Sequence, residues 1–440
     1  MGRRFFRVVG VGAGLASLLG AACASSPPHS GDPLPYLDDP SFRRAEMVAS
    51  LVDPSNEYSQ ARLGHYEAGG AGDWSLLPEW NPPAETIAAA ELDAPGGASS
   101  TSLSTSAAPL ALPASVVSAD DPALLALGEA AFTRYPAQLA TYLSVAVTTR
   151  SAAAQYGVWI DETRGVGGLV RARMADGSGA IALTCSSCHA SRNAGGVWSP
   201  GLPNASLDVG AAIVAAQGGL LDAASSAAML AWGPGRLDVT TTTGTEPARI
   251  PDLRPVRCLT YLQQDATVRA PDLATLAIRL ETLVITSNDQ ALRPPRIVML
   301  ALAAYVTSFA GGLPALDAAA SASPQGAALF ASQCAGCHTP PGLTGEPVPL
   351  ATVGTDPTLG LSPVRGTGAY RVPSLHGVGS RGPLLHDGTV PTVDALFDPA
   401  RITPSFADRL HGPGAVPGHL YGLDLSDADR AALVAYVASL

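Results

Sequence analysis

Two pentapeptides hold the residues best suited to chemistry, Cys185-Ser186-Ser187-Cys188-His189 and Cys334-Ala335-Gly336-Cys337-His338. Both read C-x-x-C-H, the pattern by which a chain attaches a c-type haem. Two thiols on one helical turn reach the two vinyl groups of one porphyrin, and the adjacent imidazole ligates the iron from the same side. A single copy would also suit a redox dithiol or half of a zinc site. Two copies, with no further Cys placed to complete zinc sites, point to two covalently bound haem c groups. Cys185, Cys188 and His189 hold one, and Cys334, Cys337 and His338 the other.

The modules that position these motifs also repeat beyond them. Arg249-Ile250-Pro251-Asp252-Leu253 aligns with Arg371-Val372-Pro373-Ser374-Leu375. Leu262, Asp265, Thr267 and Val268 then align with Leu384, Asp387, Thr389 and Val390. Residue 251 against 373 and 268 against 390 are both 122 apart, so the alignment needs no gap. Such self-similarity indicates a duplicated haem domain. His386 falls opposite Gln264, so only one copy has a histidine there. Asp121-Pro122 starts a helix-like run with Leu124, Leu127, Ala131 and Phe132 on one face. Pro324 to Gln333 is a short helix leading into Cys334. Ser426 caps a last helix with Leu433, Tyr436, Val437 and Leu440 on one stripe. The expected fold is all-α, with two cytochrome c-like haem domains at 120–322 and 323–440, long loops, and a partly disordered N-terminal extension.

The 440 residues are 47% hydrophobic and 14% charged, which suits two packed domains and excludes a wholly disordered chain. Every one of the 26 basic residues is Arg. Lysine-dependent Schiff-base and P-loop chemistry is thereby excluded. The net charge of −11 argues against nucleic acid as a partner. Residues 1–24 have the form of an export signal, with Arg3, Arg4 and Arg7 before an uncharged Val8–Leu19 run too short to span a bilayer. Two processing routes compete: lipidation at Cys23 after Leu18-Leu19-Gly20-Ala21-Ala22, or cleavage at the A-x-A of Ala22-Cys23-Ala24. The expected location is the periplasm or the outer membrane or cell envelope, with a lipid anchor at Cys23. Residues 25–119 read as a Pro/Ser/Asp-rich tether, an aromatic-containing stretch at 46–92, and an Ala/Ser/Pro/Gly/Thr-rich segment.

The two motifs, together with Tyr370-Arg371-Val372-Pro373-Ser374-Leu375-His376-Gly377-Val378 and Pro383-Leu384-Leu385-His386-Asp387-Gly388, resemble the bacterial di-haem cytochrome c peroxidases. Their superfamily includes the di-haem enzyme that matures tryptophan tryptophylquinone and the di-haem rubber oxygenases. The resemblance covers residues 120–440. It implies two all-α domains packed face to face, one haem moving electrons and the other meeting peroxide or dioxygen. A small redox protein or other electron donor and a small-molecule oxidant would be the partners. The family's electron-transfer haem takes a Met after the His-Asp-Gly segment, but no Met follows Met299. His419, in a Gly-flanked loop before the last helix, is the candidate sixth ligand instead, giving bis-His ligation as in the rubber oxygenases. His386 is assigned to contacts around the haem edge, while His376 and His411 have no assignment. No His lies between His189 and His338, so the N-terminal haem has an open distal side unless His65 folds over it.

The family's distal acid corresponds best to Glu281, which would act as general acid/base on peroxide. Its inter-haem Trp falls at Gln264, and Trp232 is the candidate substitute for electron relay, with ordinary core packing the alternative. Cys258 reads as buried and inert. Arg236, Arg254 and Arg371 are candidates to pair with haem propionates. The expected function is reduction of hydrogen peroxide, or activation of dioxygen, at the N-terminal haem with electrons relayed through the C-terminal one. The alternatives are a non-catalytic electron-transfer cytochrome and a haem dioxygenase acting on an apolar substrate.

Overall fold

The computed structural model describes residues 31–440 apart from 67–68, 70–71, 175, 194, 238–245 and 314–315. The export signal and Cys23 lie outside the described residues. Among the described residues no helix is long and apolar enough to cross a membrane.

Residues 25–45, read as tether, already contain ordered structure. A short helix at Pro35–Asp38 buries Tyr36, and α1 (Pro40–Ala49) starts on a side-chain cap from Asp39. Helix α2 (Glu57–His65) is capped by Asn56, whose side chain accepts from the Ser59 amide. Tyr58, Tyr66, Trp74 and Trp80 are all buried. The extension joins the two modules of the repeat. Tyr58 N–H donates to Val364 O and Asn56 Nδ2 to Gly366 O, while Arg269 N–H donates to Ser50 O.

The N-terminal module begins with α3 (Pro122–Arg134), whose Asp121 cap and Pro at its start match the helix expected there. Helix α4 (Val209–Gln217) follows the first cysteine motif, and α5 (Leu273–Ser287) and α6 (Arg296–Ser308) come after it. The C-terminal module opens with α7 (Pro324–Gln333) and closes with α8 (Asp427–Ser439), whose Ser426 cap bonds the Asp429 amide. In each module the first helix crosses the last over a glycine. A Cβ on Gly128 would sit 2.6 Å from Tyr305 Cβ, and one on Gly326 would sit 2.6 Å from Tyr436 Cβ. Both would lie closer still to a carbonyl oxygen, of Ala301 or Ala432. The residue one turn on from each glycine packs on the same tyrosine, Phe132 on Tyr305 at 5.6 Å and Phe330 on Tyr436 at 5.4 Å. The two crossings are therefore one construction used twice.

The all-α expectation is overturned: with 41% helix and 12% strand, the fold is mixed α/β. The largest sheet comprises β1 (Ala84–Thr86), β2 (Gln138–Leu139), β3 (Leu169–Arg173) and β4 (Gly179–Leu183), in the order β1-β3-β4-β2. It is antiparallel throughout, and β1 comes from the extension. Its core pair escapes a period-2 reading because β3 is buried on both faces up to Arg173. Smaller two-stranded ladders include β5 (Tyr261–Leu262) with β6 (Val268–Arg269).

Candidate functional site

Strand β4 runs through Thr184 directly into the turn Cys185–His189. Thr184 Oγ1 and Ser187 Oγ both donate to Gly168 O, at 2.8 and 3.0 Å, which ties the motif to the sheet. The second motif leaves α7 instead, with Cys334 N–H donating to Phe330 O and His338 N–H to Cys334 O. Each motif faces a cavity, of about 1470 Å³ at the first and about 1430 Å³ at the second, mouths included. Aliphatic side chains are the largest group in both walls, Leu foremost in the first and Val and Leu in the second, which suits a flat apolar macrocycle.

The histidines are prepared as ligands. His189 Nδ1–H donates to Pro251 O at 3.0 Å and His338 Nδ1–H to Leu343 O at 3.0 Å, leaving each Nε2 lone pair free. Burial pushes both imidazoles down to about 4, so they are neutral at pH 7. Burial also pushes the Cys185 and Cys188 thiols up to about 12 and Cys334 up to about 11. Thiols held protonated do not suit a redox dithiol, which works as thiolate. Among the described residues no group of three or more His, Cys, Asp or Glu is placed to hold a metal ion.

Around the cavities the 122-residue repeat becomes a pseudo-two-fold arrangement. Arg249 N–H donates to His386 O and its Nε to Leu385 O. The equivalent Arg371 N–H donates to Gln264 O and its Nε to Gln263 O. Residues 249 and 371 are 122 apart, as are 263 and 385, and 264 and 386, so the contact is reciprocal. Gln263 and Leu385 even share a left-handed backbone, at φ 64° and 65°. Leu262 bridges Val268, and their equivalents Leu384 and Val390 bridge each other. Arg249, Gln264 and Arg371 line both cavities and so form their common wall.

That wall is short of anions. Burial and the neighbouring guanidiniums push Arg249 down to about 9 and Arg371 to about 10, values at which both remain cationic. Arg249 Nη1 and Arg381 Nε are buried without acceptors. The one carboxylate lining the first cavity, Asp252, is shared between Arg254 at 2.6 Å and Arg381 at 3.8 Å. A haem brings two propionates, so these unmatched cations fit the group that the cysteine motifs imply. Of the arginines expected at propionates, Arg371 is in place and Arg254 is paired. Arg236 reaches toward Pro247 O and lines neither cavity.

The two cavities differ in what lies across from the motif histidine. His419 lines the second, and its imidazole is pushed down to about 4 by burial and by the nearby His338. It sits at φ 44°, a conformation costly for a β-carbon residue. Arg401, wholly buried, holds it there: its nitrogens donate to Leu396 O, Val416 O and His419 O at 2.6–2.7 Å. His386 also lines this cavity, stacked on Tyr370 at 4.0 Å. His376 is tied by Nε2 to Pro341 O, and His411 lies against Gly233. The first cavity has no histidine besides His189 among its lining residues. His65 is remote from it, bonded to Gly72 O and stacked on Trp74.

Two candidates lie away from the chemistry expected of them. Glu281 is 1% exposed but points away from the cavity, on the face of α5 that carries Ala277, Ile278, Val284 and Ile285 into the core. It accepts from Tyr36 and Tyr66 hydroxyls at 2.8 and 2.9 Å and pairs with Arg296 at 3.3 Å. The face of α5 that meets the cavity is Leu276, Arg279, Leu280 and Leu283. Trp232 lines neither cavity and packs in the core with Leu207, Val209 and Leu237. Cys258 is buried, as expected. Arg279, Arg401 and the wall position of Arg249 escaped the sequence reading. Only Arg249 carried a signal there, its alignment with Arg371.

A paired thioether motif, a neutral proximal imidazole and an apolar cavity with a cationic rim define the class, a c-type haem protein. Comparison with known families agrees: residues 323–440 match the cytochrome c family. The chain therefore contains a cytochrome c domain there, with a covalently bound c-type haem implied by it. No curated protein matches the chain.

Proposed function

We propose that the chain binds two c-type haems, one per cavity, and is an exported redox enzyme. In this reading electrons enter at the C-terminal cavity and leave at the N-terminal one to a small oxidant, hydrogen peroxide or dioxygen. The observation that carries it is a difference between the cavities: His419 faces the second, and among the described residues no second imidazole faces the first. A haem, when bound, supplies one-electron chemistry at iron and a coordination site wherever the protein leaves one free.

The chain's own residues divide the work. His189 and His338 are oriented by backbone carbonyls to donate Nε2, and His419 is braced by Arg401 to close the second site. Arg249 and Arg371 would neutralise the propionates of a bound haem at the common wall, and their carbonyl bonds join the two modules there. Gln264 stands in that wall where a relay aromatic is expected, so electrons cross a polar hydrogen-bonded contact. Leu276, Leu280 and Leu283 keep water from the first cavity. Lipid anchoring at Cys23 and a cell-envelope location belong to the same reading.

The test is to mix the fully reduced holoprotein with one equivalent of hydrogen peroxide and follow both haems optically. Two-electron reoxidation of both haems is expected, with a matching loss of peroxide. A protein that stays reduced contradicts the enzyme reading and leaves an electron-transfer cytochrome. The leucine wall favours one second reading, oxidation of an apolar substrate by dioxygen. Oxygen uptake that depends on an added apolar substrate, in the absence of peroxide, would select it.

A further inference from the structure

The first cavity contains one charged group that neither the haem motif, nor the repeat, nor an ion pair accounts for. Arg279 is the only titratable side chain that α5 turns to this cavity, among Leu276, Leu280 and Leu283. It is 8% exposed, its Nη1 is buried without an acceptor, and no carboxylate lies within ion-pair distance among the described residues. Behind it are the Tyr58 ring, 6.0 Å away, and Arg62, itself wholly buried with Nε and Nη1 unpartnered. The other cations of this wall have other roles: Arg365 pairs with Asp265 at 3.4 Å, and Arg249 and Arg371, whose Nε groups hold carbonyls, stand at the common wall where propionates are implied. A buried guanidinium held among leucines beside a second cation is strongly destabilised until an anion meets it.

We propose that Arg279 makes the α5 side of the first cavity a binding site for small anions, of the class of fluoride, azide and deprotonated hydroperoxide. The inference rests on the reading that this cavity holds a haem with a free sixth position. The guanidinium donates a charge-assisted hydrogen bond to the anion, and the leucines exclude the water that would screen it. Neutral ligands gain nothing from it. The residue selects by charge.

The test titrates the ferric holoprotein with fluoride and azide, and the reduced holoprotein with carbon monoxide, in wild type, Arg279→Leu and Arg279→Lys. Arg279→Leu is expected to fold, because it replaces an unpaired buried cation by one more apolar side chain. If it does not, Arg279→Lys carries the comparison. Anion affinity should fall on the order of tenfold or more in Arg279→Leu and less in Arg279→Lys, with carbon monoxide affinity within about twofold of wild type. Unchanged anion affinity overturns the proposal, as expected if Arg279 only pairs with a propionate. An equal loss for carbon monoxide also overturns it, because that marks general damage to the cavity. Failure of wild type to bind carbon monoxide would remove the open-cavity reading, and this proposal with it.

Discussion

In the C-terminal module the first helix runs directly into its haem motif, Cys334 following Gln333 at the end of α7. In the N-terminal module residues 135–184 intervene between α3 and Cys185, and they contain three strands of the four-stranded sheet. The helix crossings, the reciprocal arginine contacts and the turns at Gln263 and Leu385 are nevertheless the same in both. The modules diverge again at the segment before the last helix. The first has α5, fifteen residues that wall the cavity with leucines. The second has a looped segment that delivers His419. The comparison teaches that the helix crossing and the arginine contacts were kept while the segment facing the motif histidine diverged, bringing His419 to one cavity and leucines to the other.

The largest effects should come from breaking one cradle at a time. Cys185→Ala with Cys188→Ala should lower the haem count from two per chain to one, and Cys334→Ala with Cys337→Ala should do the same, read by the mass of the denatured protein. The partner haem's spectrum should survive in each. A chain whose mass is unaffected by the first pair carries no haem in the N-terminal module.

Removing the ligand that separates the modules comes next. His419→Ala should raise carbon monoxide binding by the reduced protein from one to two per chain, with new high-spin absorption in the ferric form. Unchanged stoichiometry would mean that another group closes the second cavity.

Glu281 tests whether the N-terminal module depends on its strap. Glu281→Leu leaves Arg296 without its carboxylate and strands two buried tyrosine hydroxyls. Denaturant unfolding should show a loss of about 3–5 kcal/mol, with little change in the haem spectra. A general acid would show the reverse, normal stability and a lost peroxide reaction.

The smallest effects should be nearly equal. Gly128→Ala and Gly326→Ala each force a helix crossing apart and should cost about 1–3 kcal/mol. A loss in only one of them would mean that the crossings are not equivalent.

Much of the site was legible because its chemistry is local. The C-x-x-C-H spacing, the gapless repeat and the cap at Ser426 each lie within a few residues of sequence. His419 was picked out by its glycine-flanked loop, but its brace was not, because Arg401 acts from eighteen residues away through backbone carbonyls. Glu281 and Arg279 show why type and spacing mislead on a buried helix. They are two residues apart and so lie on different faces, and the face that meets the cavity depends on how α5 packs. The sheet was missed for a similar reason: β3 is enclosed on both sides, and its edge strand β1 comes from a distant segment.

The central claim is that one chain holds two haem cradles of common design, of which the N-terminal one alone is open. The most direct test counts carbon monoxide bound by the reduced, purified protein against total covalent haem. Two haems and one carbon monoxide per chain are predicted, with His419→Ala converting the ratio to two and two. One haem per chain, or two haems that bind either no carbon monoxide or two, would contradict the claim.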